Sequence, residues 1–301
     1  MRQDLRARDG AIEDQGAQMM KPLEEDRIIQ QLVGWGGDRE EVRAMLLTST
    51  RTRPDAQLDL FSDYDVVLVV TDIHPFYEDR GWLGDFGRVL VVYRDPIRLD
   101  HGLERFAYIT QYEDGLKLDF TLWPMEMLSR IAAAPQLPDE LDVGYTVLMD
   151  KDGLTAGLQP PTHRAYILSP PSQDEYETRI EVFFHEATYT AKHLWRDDLM
   201  AAKYNLDYAM KAKKLRQMLE WRIAIERDWA FKPGAYGKGL KRHLDPGTWQ
   251  ELENTYVGTG EGENWEALFR TIGLYRQIAV EVGEHLGYRY PHKLDERTMA
   301  Y

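Results

Sequence analysis

The chain has 301 residues, 43% apolar and 29% charged, the balance of a globular protein of about two domains rather than of a disordered one. Its 51 acidic against 37 basic side chains leave a net charge of −14, which argues against nucleic acid as a partner, since backbone binding needs a basic footprint, and suits a cationic substrate. Cysteine is absent, excluding disulfides, thiol nucleophiles and cysteine zinc sites, and no apolar run approaches the ~18 residues of a membrane span.

Residues 1–19 carry no periodic apolar pattern. They mix both charge signs and lack the apolar stretch of a signal peptide, so they are expected to be a disordered lead-in to a cytoplasmic protein. From Glu24 to Trp35, the positions Ile28, Ile29, Leu32 and Val33 share one helix face, ended by Gly36-Gly37. Val42 to Leu47 reads as a strand that delivers Ser49-Thr50-Arg51 at its carboxyl end. The loop 53–62 has turn chemistry in Pro54, Asp55 and Asp59. Tyr64 to Thr71 is a second strand, and its unbroken apolar run predicts cover on both faces. A polar, aromatic segment with Pro75, Gly81 and Gly84 leads to a third strand, Arg88 to Tyr93. Phe106–Tyr112 and Leu116–Leu122 then form a hairpin about Glu113-Asp114-Gly115. Pro124 opens a short helix through Met127, Leu128 and Ile131, and Gly144 to Met149 gives one more strand. Residues 20–153 are therefore expected to be one α/β domain with a mixed sheet of about five strands.

The stretch 154–172, rich in proline, reads as an interdomain linker. From Asp174 to Trp229 there is neither proline nor glycine, and Phe183, Ala187, Thr190, Leu194, then Leu199, Ala202, Leu206, Met210 recur at helical spacing. That predicts two or three long helices, with two more at Thr248–Tyr256 and Trp265–Leu286. Region 173–301 is thus expected to be an all-α helical bundle, with Trp195, Trp221 and Trp229 in its core.

Three carboxylates stand out. Asp63 and Asp65 are spaced i, i+2 at a strand entry, so they project from one face. Two like charges held that close persist only with a cation between them. Oxygen-only ligands favour Mg²⁺, which usually also takes substrate phosphates. Asp119, between Leu118 and Phe120, is costly to bury unless paired or metal-bound. If the two strands are neighbours, three acids converge. Such a set around two Mg²⁺ ions can clamp a nucleoside triphosphate for in-line attack at phosphorus. Ser49-Thr50-Arg51 would then offer hydroxyls, backbone N–H groups and a cation to the phosphates. Taken singly, each aspartate also reads as a solvated turn or strand residue.

On these residues the chain resembles the aminoglycoside nucleotidyltransferases of the polymerase-beta-like superfamily, in particular the aminoglycoside 6-adenylyltransferase (streptomycin adenylyltransferase) family. The superfamily signature is a Gly-Ser turn, an Asp-x-Asp pair and a third Asp on a later strand; here those positions read Ser49-Thr50, Asp63-Tyr64-Asp65 and Asp119. Arg51-Thr52, Leu118 to Leu122, Ala191-Lys192 with Leu194-Trp195-Arg196, Trp265 to Phe269, Leu286-Gly287-Tyr288 and Tyr290-Pro291 resemble further landmarks in the expected order, so that residues 20–300 are covered. The resemblance implies Mg²⁺-dependent transfer of AMP from ATP to a hydroxyl of an aminoglycoside such as streptomycin, with release of pyrophosphate, in a cleft between the two domains. It implies Asp63, Asp65 and Asp119 as metal ligands, with Asp119 also acting as, or positioning, the general base. Ser49, Thr50 and Arg51 would bind the phosphates, joined by Lys192 or Lys203 of the helical domain. Selection of the acceptor is expected from the 72–86 loop and from acids such as Glu186, Asp197 and Asp198. One departure bears on activity: Ser49 stands where the signature has glycine, whose lack of a side chain lets backbone approach phosphate closely. Two rivals stay open, a nucleotidyltransferase acting on a protein or another small molecule, and a catalytically silent nucleotide-binding protein of the same fold.

Overall fold

The computed structural model describes residues 27–301 apart from residues 55, 57, 60 and 101. The lead-in over 1–19, the start of the helix expected from Glu24, and Asp55 lie outside the described residues. The chain divides into two compact units between Ala165 and Tyr166.

Among its described residues, the first unit is built on a mixed sheet of seven strands rather than about five: β1 Val42–Thr48, β2 Tyr64–Val70, β3 Val89–Arg94, β4 Arg98–Asp100, β5 Leu103–Tyr112, β6 Lys117–Pro124 and β7 Tyr145–Asp150. Their order is β3-β5-β6-β2-β1-β7, with β4 paired to β5. The pair β2–β6 is parallel and the others are antiparallel. The apolar run of β2 is covered on both faces, as its composition predicts. Val66, Leu68 and Val70 pack in one cluster with Leu32 and Trp35 of the helix Arg27–Gly37. Val67 and Val69 pack in another with Met127 and Leu128 of the helix Met125–Ala132. The β5–β6 hairpin closes where expected: Gly115 takes φ +95°, and the Leu116 amide donates to Asp114 Oδ1 at 3.0 Å.

The stretch 154–172 contains no helix or strand. Its first part is held to the first unit, since the Asp142 carboxylate accepts from Thr162 N at 2.7 Å and Ala165 N at 3.0 Å. Beyond the division, Leu168 N donates to Phe231 O at 3.0 Å within the second unit.

The second unit is helical. The helix Gln173–Trp195 begins at a capping box in which Ser172 and Glu175 satisfy each other's amides. Leu199–Lys203 runs into a π-helical stretch, Tyr204–Leu215, and on into Arg216–Glu226. The wider turn explains the apolar core pattern: Ala202, Leu206 and Met210 step by four, but the next buried apolar residue, Leu215, comes five later. The helices Pro246–Glu253, Glu261–Leu286 and His292–Met299 complete the unit. The ring of Phe183 stacks on Tyr275 at 3.6 Å between centroids in the middle of this core. Trp221 is buried there and Trp229 packs against it. Trp195 does not: it is 80% exposed. It follows Leu194, the last residue on the buried stripe of its helix, and so falls outside that stripe.

Candidate active site

Parallel pairing of β2 with β6 sets Asp65 directly opposite Asp119. Side chains alternate along a strand, so Asp119 lies on the same face of the sheet as Asp65, and Asp63, two residues before Asp65, precedes it on that side. The three expected acids are thereby brought together, and a fourth residue joins them. Lys117 begins β6, two residues before Asp119 on the same face. Its Nζ donates to Asp63 Oδ2 at 2.6 Å and to Asp119 Oδ2 at 2.7 Å. The cation between the acids in this structure is therefore an ammonium. The spacing Lys117-x-Asp119 mirrors Asp63-x-Asp65, and that repeat was the available sign of it in the sequence.

One ammonium does not balance three carboxylates. Burial pushes the Asp65 carboxyl up to about 6, with the charges of Asp119 and Asp63 adding to the effect. Burial also raises Asp119, against the pull of Lys117. Lys117 itself is held above the ordinary lysine range, because its bonds to Asp119 and Asp63 outweigh burial. Asp119 Oδ1 is buried without a hydrogen-bond partner. A set of carboxylate oxygens, under-neutralised and with one oxygen unused, fits a hard divalent cation such as Mg²⁺. As they stand, however, no three His, Asp or Glu side chains among the described residues are arranged to hold a metal ion.

The turn after β1 packs beside these acids. β1 pairs with β2 so that Thr48 faces Asp65, and the chain then tightens into the 3₁₀ turn Ser49–Thr52. Ser49 takes φ +64°, the left-handed region that glycine enters without cost. Ser49, at the position where the signature has glycine, thus holds a backbone conformation open to glycine. The Ser49 side chain hydrogen-bonds the Asp65 carboxylate and lowers its pKa against the larger effect of burial. Thr52 Oγ1 donates to Ser49 O at 2.9 Å. Gly144, at φ +148°, lets this turn approach: a Cβ there would stand 2.7 Å from Thr52 Oγ1. Thr50 is half-buried within the turn. Arg51 braces the opposite wall, donating from Nε to Asp63 O at 3.0 Å and from Nη2 to Ser62 O at 2.9 Å. Its guanidinium lies 3.5 Å above the Tyr64 ring.

Lys192 and Lys203 belong to the second unit. Lys203 Nζ has partners there in Val257 O at 3.0 Å and Asp207 Oδ2 at 2.7 Å. Lys211, which sequence reasoning passed over, is fully buried and shares Asp207 at 2.7 Å. Lys192 Nζ sits 5.0 Å from the Tyr189 ring centre. It lines a pocket of about 420 Å³ with Trp195, Arg196, Trp265, Phe269 and Tyr301. Of the acids considered for acceptor selection, Glu186 accepts from Asn205 Nδ2 at 2.5 Å. Asp198 lies 3.8 Å from His193 Nδ1, and Asp197 takes φ +58°.

The sequence matches the model of the streptomycin adenylyltransferase family over residues 23–301. It is 33% identical over 268 residues to an aminoglycoside 6-adenylyltransferase of Bacillus subtilis (strain 168), an alignment covering 87% of this chain and 90% of that protein. An aminoglycoside 6-adenylyltransferase of Campylobacter jejuni is 28% identical, with 87% and 88% covered. The crystal structure of an aminoglycoside 6-adenyltransferase from Bacillus subtilis aligns at 28% identity over 93% of this chain and 97% of its own, with a TM-score of 0.45.

Proposed function

We propose, for a chain that belongs to the streptomycin adenylyltransferase family, the transfer of AMP from ATP to a hydroxyl of an aminoglycoside such as streptomycin, with release of pyrophosphate. The observation that carries this reading is the meeting of Asp63, Asp65 and Asp119 at one end of the parallel pair β2–β6, beside the Ser49–Thr52 turn. The three carboxylates would hold Mg²⁺. When bound, the ion supplies positive charge against the phosphates and the departing pyrophosphate.

The chain's own groups supply the rest. The acceptor oxygen bonds to the α-phosphorus as the bond from that phosphorus to the pyrophosphate oxygen breaks. The acceptor's proton passes to Asp119 or to a base that Asp119 positions. Ser49, Thr50 and Arg51 would form the phosphate-side turn. The left-handed backbone of Ser49 supports a working turn over a silent one. No helix among the described residues is long and apolar enough to cross a membrane, and the cytoplasm, where ATP is at hand, is the proposed compartment.

Pyrophosphate release from ATP and Mg²⁺, with and without streptomycin, tests the reading. Release should depend on streptomycin and vanish in Asp63→Asn. A folded protein that releases none with any aminoglycoside would overturn it, and release with an unrelated acceptor would move the assignment to another substrate of the same chemistry.

A further inference from the structure

We propose that Lys117 is a built-in competitor for the metal: its ammonium occupies carboxylate oxygens that a divalent ion needs, and it must leave them when Mg²⁺ enters together with the nucleotide. The inference rests on the assignment of Asp63, Asp65 and Asp119 as the metal's ligands.

The contacts are direct. Lys117 Nζ is 2.6 Å from Asp63 Oδ2 and 2.7 Å from Asp119 Oδ2, so an oxygen of each of two proposed ligands is already committed. An ammonium and a metal ion on those same oxygens weaken each other's hold: both are cations, and a few ångströms apart their repulsion is of the same order as either one's attraction to an acid. The pairing is sheltered, with Lys117 28% and Asp119 20% exposed at the side chain, so water screens it less than a surface pair. It also accounts for the absence of a ready three-ligand cage among the described residues, although three carboxylates meet there.

A lysine has the reach to move. Its four-carbon stem carries a point charge that needs no fixed orientation, and an ammonium released beside a polyphosphate finds new acceptors in its oxygens. ATP therefore brings both the metal and the group that takes Lys117 off the acids. Binding of the ion becomes contingent on the nucleotide, and the ligand-free acids are never left facing one another without a counter-charge.

Mn²⁺ binding followed by electron paramagnetic resonance, first without nucleotide and then with a non-hydrolysable ATP analogue, tests this on the full chain. Lys117→Gln should bind free Mn²⁺ more tightly than the parent by on the order of 10-fold, because a neutral side chain no longer repels the ion. The gain in Mn²⁺ affinity that the analogue brings should be smaller in the variant than in the parent. Lys117→Arg, which keeps the charge, should stay near the parent. Thermal melting gives a second readout if Lys117→Gln is fragile: it should melt below the parent in EDTA and recover more on adding Mn²⁺. Equal or weaker Mn²⁺ affinity in Lys117→Gln, with no extra recovery on melting, overturns the competition and leaves the ligand assignment standing. If the double variant Lys117→Gln/Asp65→Asn binds Mn²⁺ as well as Lys117→Gln alone, the ion lies elsewhere, and the ligand assignment fails together with the inference.

Discussion

Burial holds the Asp65 carboxyl at about 6, where an ordinary aspartate titrates at 3.8. In the unfolded chain the group ionises near pH 4. As pH rises from there, the unfolded state loses its proton first and the ligand-free fold loses stability, until the folded group ionises too at about pH 6. The contribution is intact below pH ~4 and fully lost above pH ~6, and a shift of about two units corresponds to ~3 kcal/mol. Asp65→Asn should therefore make the ligand-free protein more stable by ~3 kcal/mol at pH 8, with no gain at pH 4, while abolishing pyrophosphate release. Urea denaturation in EDTA at the two pH values measures this, and equal stabilities at pH 8 would mean that the Asp65 charge carries no cost. Ser49 sets a second residue-level test. Ser49→Gly suits φ +64° and should keep the fold and the activity. Ser49→Val puts a β-branched side chain where it fits worst and should cost ~1–3 kcal/mol in a denaturant titration, with a higher KM for ATP.

Between elements, the decisive event is the register of β2 against β6, and the sequence held only half of it. The i, i+2 pair, the apolar run behind it and the β5–β6 turn were all legible, because local periodicity and turn chemistry specify them. That Asp119 would meet the pair depended on a parallel pairing across more than fifty residues of chain, which alternation within either strand does not encode. The role of Lys117 is hidden because a lysine at a strand entry has the pattern of a solvated residue; only its position two before Asp119 hints otherwise. β4, three residues long, and the short helices of 74–86 are below the length at which periodicity speaks. The π-helical stretch kept the apolar spacing of an ordinary helix until Leu215. Arg51 shows the same limit. Its charge suggests phosphate, and does not reveal that it also braces the turn against the strand entry, through Ser62 O, Asp63 O and the Tyr64 ring. Arg51→Lys keeps the charge and loses the fork and the stacking surface. It should cost ~1–2 kcal/mol in stability and raise the KM for ATP, measured by denaturation and by steady-state kinetics. A variant indistinguishable from the parent would show that charge alone is the contribution of Arg51.

Across the whole molecule the excess of acid has a kinetic consequence. A chain with net charge −14 surrounds itself with a negative potential that draws in a polycationic acceptor and works against a polyanionic nucleotide. Salt screens both effects over a length that shrinks from about 30 Å at 0.01 M to about 8 Å at 0.15 M ionic strength. The two substrates should therefore answer salt in opposite directions. As ionic strength rises through that range, kcat/KM for streptomycin should fall severalfold, because fewer encounters are steered. For ATP it should hold or rise, because long-range repulsion is relieved while the short contacts in the site are screened less. Steady-state kinetics with one substrate saturating and the other varied separates the two. A parallel fall for both would trace the salt effect to the chemistry or the fold, and acidity would then have no part in how the acceptor is found.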